Sequence, residues 1–211
     1  MKKLLLFPIL AALFSIPAFP AQPTCVTGTL QSYIALDPQG GCTISGYAFE
    51  NWAYTQTGVS IPATDILVTP ILSATSPGFS FSVGSGQNWQ LGVGQSYTGT
   101  IYITQQSVPG TTTIFSGSTL SLSGGGVNTG ELIVTGTGCL AGFLPGCSQQ
   151  LGTTPYVTEV TTSPGSSVLT FAGNTQSSQL SVNIALQGPA TGALKTGFST
   201  MELLYTLSPG I

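Results

Sequence analysis

Four cysteines, six carboxylates and one loose group of aromatic residues carry whatever chemistry this chain of 211 residues has, since it contains no histidine and no arginine. The cysteines are Cys25, Cys42, Cys139 and Cys147. Their spacing gives neither the C-x-x-C of a redox motif nor a zinc-ligand pattern, and no histidine is present to complete a metal set, so structural disulfides are the expected use. Local pairing, Cys25 with Cys42 and Cys139 with Cys147, is the simplest arrangement. Four cysteines permit three connectivities, and spacing does not choose among them. Staples over loops of this size contribute roughly 3 kcal/mol on the chain-entropy estimate, and they belong to an oxidising compartment.

The missing residue types remove most catalytic arrangements. Without histidine there is no Ser-His-Asp or Cys-His constellation, and without arginine there is no guanidinium clamp for carboxylate or phosphate. Lys195 sits in LKTG with no serine in a matching motif. Glycoside hydrolysis needs only two carboxylates. Asp37, Glu50, Asp65, Glu131, Glu159 and Glu202 are spread singly, however, and nothing in their order shows which two would meet. Calcium at Asp37 or Asp65 lacks the D-x-[DN]-x-[DN]-G loop. GSG and GGG lack the Lys-Ser/Thr of a phosphate loop. The chain reads as a non-enzyme with no cofactor and no metal.

The aromatic residues offer a binding chemistry instead. YAFENWAYTQTG puts Tyr47 and Phe49 on one face of a strand and Trp52 and Tyr54 on one face after it, with Glu50-Asn51 placed to host a bulge where the phase changes. Trp52, Tyr54 and Trp89 of GQNWQLG are candidates to stack on sugar rings. The same rings would also fill a sandwich core, where large aromatics supply much of the buried area. Exposure separates the two readings.

The elements that must position these residues are strands. SQLSVNIALQ places Leu180, Val182, Ile184 and Leu186 on one face and Ser181, Asn183 and Ala185 on the other, the period of two of a half-buried strand. FSFSV groups Phe79, Phe81 and Val83. SYTGTIYIT separates Tyr97, Gly99, Ile101 and Ile103 from Thr98, Thr100, Tyr102 and Thr104, and STLSLSG adds Leu120 and Leu122. GTLQSYIAL reads as a strand followed by a DPQGG turn, so that Cys42 begins the return strand. Thr200 to Leu207 reads as a closing strand, with Met201, Leu203 and Tyr205 opposite Glu202, Leu204 and Thr206. Turn formers such as Ser76-Pro77-Gly78, Val108-Pro109-Gly110, Ser163-Pro164-Gly165 and Gln187-Gly188-Pro189 punctuate these runs. The expected fold is all-β, an antiparallel β-sandwich of Ig-like or jelly-roll-like Greek-key type with little or no helix past the leader.

Residues 1–21 read as a signal peptide, with Lys2 and Lys3 ahead of an apolar stretch from Leu4 to Ile16 and small residues for cleavage near 18–21. Residues 22–211 then form one β-sandwich domain with no integral membrane segment. Charged residues make up 4% of the chain against roughly 25% in ordinary globular proteins. Past the leader, one lysine faces six carboxylates, a net charge of −5. Such a surface cannot neutralise a row of phosphates, which excludes nucleic acid and anionic membrane surfaces as partners.

The pattern C-x-x-G-x-L-x-x-Y-x-x-L, then G-C-x-I, then F-x-N-x-x-Y stands here as Cys25, Gly28, Leu30, Tyr33, Leu36, Gly41, Cys42, Ile44, Phe49, Asn51 and Tyr54. It resembles the N-terminal signature of small exported β-rich bacterial proteins of the PEP-CTERM class. That resemblance implies association with the envelope or with extracellular polysaccharide. The sequence ends at LSPGI, with no Pro-Glu-Pro motif, terminal apolar helix or basic tail, a departure that points to plain secretion. The expected role is therefore an exported, non-enzymatic structural or interaction protein of the cell exterior or matrix, with envelope proteins or extracellular polysaccharide as partners. The alternative is a carbohydrate-binding module using exposed aromatics.

Overall fold

The computed structural model describes residues 22–84, 89–108, 110–124, 130–140, 147, 149–153, 165–192 and 195–209. The expected leader, the loop 141–146 and most of the Ser163-Pro164-Gly165 turn lie outside them. The described strands run in chain order as β1 (Gly28–Thr29), β2 (Cys42–Ile44), β3 (Tyr47–Gly58), β4 (Ile66–Ile71), β5 (Gly78–Val83), β6 (Trp89–Leu91) and β7 (Ser96–Ser107). They continue as β8 (Thr113–Ser123), β9 (Glu131–Cys139), β10 (Gln150–Thr153), β11 (Ser166–Thr175), β12 (Ser177–Gln187), β13 (Thr196–Phe198) and β14 (Thr200–Pro209). One sheet has the order β10-β9-β12-β7-β3-β2 and the other β1-β4-β5-β14-β8-β11, while β6 and β13 pair separately. Every ladder is antiparallel. The fold is an antiparallel β-sandwich. No helix among the described residues is long and apolar enough to cross a membrane.

Alternation builds the core as the sequence predicts. Leu180, Val182, Ile184 and Leu186 of β12 are buried, as are Phe79 and Phe81 of β5, Ile101 and Ile103 of β7, and Met201, Leu203 and Tyr205 of β14. The two inner faces meet through rings. Phe49 and Trp52 of β3 both approach Phe79 of β5 at 4.9 Å between centroids. Phe49 meets Tyr205 of β14 at 5.4 Å, and Tyr47 meets Phe115 of β8 at 5.1 Å. Such offset and edge-on pairs add to the burial of their area.

One segment departs from the sequence expectation. GTLQSYIAL pairs as a strand only over Gly28 and Thr29, opposite Val68 and Leu67, and then forms a helix, α1 (Leu30–Ile34). The reason is local. The Thr29 hydroxyl accepts the Ser32 N–H at 3.2 Å, capping the helix, while the Ser32 hydroxyl donates back to the Thr29 carbonyl at 2.6 Å. Leu30 and Tyr33, three residues apart, fall on one helical face and are both buried. A short 3-10 turn over Asp37–Gln39 follows, then Gly40 and Gly41 at φ +83° and +78°. A Cβ on Gly41 would lie 2.0 Å from the Phe49 carbonyl oxygen, so glycine is what lets β2 lie against β3.

Candidate functional site on the outer face of β3, β7, β12 and β9

The cysteines pair locally. Cys25–Cys42 and Cys139–Cys147 are both disulfides, with Cα atoms 5.0 and 5.7 Å apart. The first joins the entering chain to β2, and the backbone repeats that link through Cys25 N–H to the Thr43 carbonyl at 3.0 Å. The second anchors the end of β9.

The expected stacking residues are corrected by the structure. Trp52 is 2% exposed, wedged against Tyr33 and Phe79, and its indole N–H donates to the Phe49 carbonyl at 3.1 Å. Trp89 is fully buried, stacked on Phe198 at 5.4 Å and beside Tyr97. Tyr54 stands opposite Ile101, on the inner side of the sheet. Its hydroxyl donates to the Ile61 carbonyl at 2.7 Å and meets the Tyr97 hydroxyl at 2.8 Å, and burial pushes its pKa up. Trp52 and Trp89 belong to the buried core, and Tyr54 packs against it partly buried, where large rings fill the space between the sheets. Burial closes Trp52 and Trp89 to a sugar, while Tyr54 is partly buried with its hydroxyl tied to Ile61 and Tyr97.

The outward side of the same sheet carries another aromatic residue. Tyr102 lies between the buried Ile101 and Ile103 on β7, so it stands on the solvent side, partly exposed. The ladders place Ala53, Tyr102, Ser181 and Thr137 in one row across β3, β7, β12 and β9. The row on one side is Thr55, Thr100, Asn183 and Thr135; the row on the other is Glu50, Thr104, Gln179 and Cys139, where Thr104 and Cys139 are buried. Asn183 donates through its amide to Thr100 Oγ1 at 2.9 Å, and Asn51 donates to Thr104 Oγ1 at 3.3 Å. Four strands at the usual spacing make a face about 14 Å across. Its signal was present in the alternation of SYTGTIYIT, which puts Tyr102 on the polar side.

Two of the six acids meet at the β3 end of this face. The strand bulges there, the ladder passing from Glu50 opposite Thr104 to Ala53 opposite Tyr102. The Trp52 backbone N–H, displaced from the ladder, donates to Asp37 Oδ1 at 3.0 Å. Burial raises the Asp37 pKa, and the N–H groups of Trp52 and Asn51 oppose that rise. Burial, then the charge of Asp37, raises Glu50. Asp37 thus acts as a backbone anchor for the bulge. Among the described residues, no three cysteine or acidic side chains gather to hold a metal ion.

No family model matches this chain, and no curated protein does. Among solved structures it is similar to the enzymatically active domain of bacteriophage CBA120 tailspike protein 4, with a TM-score of 0.31 and 13% identity over 75% of this chain and 19% of that one. A carbohydrate-binding module from the β-sandwich superfamily gives 0.31 and 10%, covering 89% of this chain and 63% of that one. A family 11 carbohydrate-binding module from Clostridium thermocellum, in complex with a β-1,3-1,4-mixed-linked tetrasaccharide, gives 0.24 and 6%, covering 80% and 91%. At TM-scores this low the likenesses carry no argument about ligand or activity.

Proposed function

We propose that the outer face of β3, β7, β12 and β9 binds neutral carbohydrate without catalysis, and that the protein works in an oxidising space outside the cytoplasm. The observation that carries this reading is Tyr102, an aromatic ring on the solvent side of a sheet whose neighbours there are Asn183, Gln179, Ser181, Thr100 and Thr137. Carboxylates at Glu50 and Glu131 border the face, and Lys195, the single basic residue past the leader, precedes β13. That charge distribution disfavours anionic glycans and suits uncharged ones. The two disulfides support an oxidising compartment, and Asp37 being occupied with the β3 backbone favours binding over hydrolysis.

The test is titration of the oxidised protein with a panel of soluble neutral polysaccharides, repeated with Tyr102→Ala. Saturable binding that weakens by about 2 kcal/mol in the variant, roughly thirtyfold in Kd, is the expected result. Binding left unchanged by that substitution removes this face from consideration. No binding across the panel returns the protein to the broader class of exterior structural or interaction components, with envelope proteins as the partners to seek.

A further inference from the structure

We infer that Asn51 is the residue by which this face selects among neutral glycans, and that the bulge in β3 holds its amide in place for that purpose; the inference rests on the glycan reading of the face. Two non-glycine residues among those described have positive φ, Ser45 at 51° and Asn51 at 53°. Ser45 is explained by its position. With Gly46 at φ 85° it forms the two-residue turn between β2 and β3, a hairpin type that needs left-handed residues at both places. No turn explains Asn51, which lies inside β3 where the ladder skips. Glycine is the usual occupant of a left-handed bulge position, and it would serve the backbone here without strain. Asparagine is the side chain that tolerates this conformation best, so the bulge can present a primary amide where glycine would present none.

The surroundings hold the bulge from the core side. Trp52 is buried beneath it, with its backbone N–H on Asp37 and its indole N–H on the Phe49 carbonyl. Asn51 itself is exposed. Its amide reaches Thr104, two residues along β7 from Tyr102, so ring and amide occupy neighbouring rungs of the same face. A primary amide offers a donor and an acceptor together, which matches the paired hydroxyls on adjacent carbons of an uncharged sugar. Glu50 beside it adds an acceptor and repels acidic sugars. The ligand class is a neutral polysaccharide with free vicinal hydroxyls, and Asn51 discriminates among such polymers by the orientation of those hydroxyls.

Asn51→Gly tests this, because it keeps the left-handed backbone and removes only the amide. The probes are a mixed-linkage β-glucan, a xylan and a glucomannan, each titrated calorimetrically, with thermal melting recorded in parallel. The expected result is a melting temperature at or above that of the parent, a Kd for the best-bound probe raised about tenfold, and a changed ranking of the three glycans. Asn51→Asp, of the same shape but lacking the amide donor, is expected to lose affinity likewise, and it decides the matter if the glycine variant fails to fold. Parent-like affinity and ranking in a folded variant overturn the role of Asn51; if Tyr102→Ala weakens binding as expected, the face stands and only this inference falls. If the parent protein binds none of the three probes, the reading of the face and the inference fall together.

Discussion

The space between the sheets and the outward side of the β3–β12 sheet hold the same kinds of residue in opposite proportions. Inside, Trp52, Trp89, Tyr47, Phe49, Phe79, Phe115 and Tyr205 pack ring against ring. Outside, Tyr102 stands among threonines, serines and amides. The outward side of the opposite sheet sharpens the contrast: Ser80, Glu202 and Ser121 lie in one row there and Leu204 and Thr119 in the next. Aromatic content is therefore a poor guide to binding until the side of the sheet is known.

Substitutions in each region should fail in different ways, and the largest effect belongs to the interior. Trp52→Ala is expected to cost about 3–5 kcal/mol of stability in urea unfolding, because it empties the space between Tyr33 and Phe79. Opening the first staple with Cys25→Ala and Cys42→Ala together should cost about 3 kcal/mol by the same measurement. Tyr102→Ala should do the reverse, with melting little changed and about 2 kcal/mol lost from glycan binding. A Tyr102→Ala protein that unfolds as readily as Trp52→Ala would erase the contrast between the regions. The smallest effect expected is a gain. The Tyr205 hydroxyl is fully buried, has no hydrogen-bond partner among the described residues, and burial drives its pKa upward. Tyr205→Phe removes an unpaired polar atom and should stabilise by about 1 kcal/mol.

Much of this arrangement is legible in the amino-acid order, because the strands alternate cleanly. The burial of Leu180 through Leu186, the closing strand from Thr200, and the phase change at Glu50-Asn51 follow from counting by twos. Leu30 and Tyr33 escaped that count, since a five-residue helix set by one threonine cap leaves almost no period to detect. Trp52, Tyr54 and Trp89 stand out in the sequence by size, although size is what a core selects for. Tyr102 sat on the polar side of its strand and was the better candidate by alternation alone. The approach of Asp37 to Glu50 could not be read, because it depends on the 3-10 turn and Gly40-Gly41 returning the chain to the bulge.

The Cys25–Cys42 bond also has a mechanical meaning. It closes α1 and the 3-10 turn inside a covalent ring, and Thr24 bridges Thr43 in parallel beside it. Tension entering at Gln22 passes through sulfur into β2 and on to β3, bypassing the enclosed segment, which cannot be drawn out as slack. The bond thus fastens the entering chain to the edge of the very sheet whose outer side is proposed to hold the glycan.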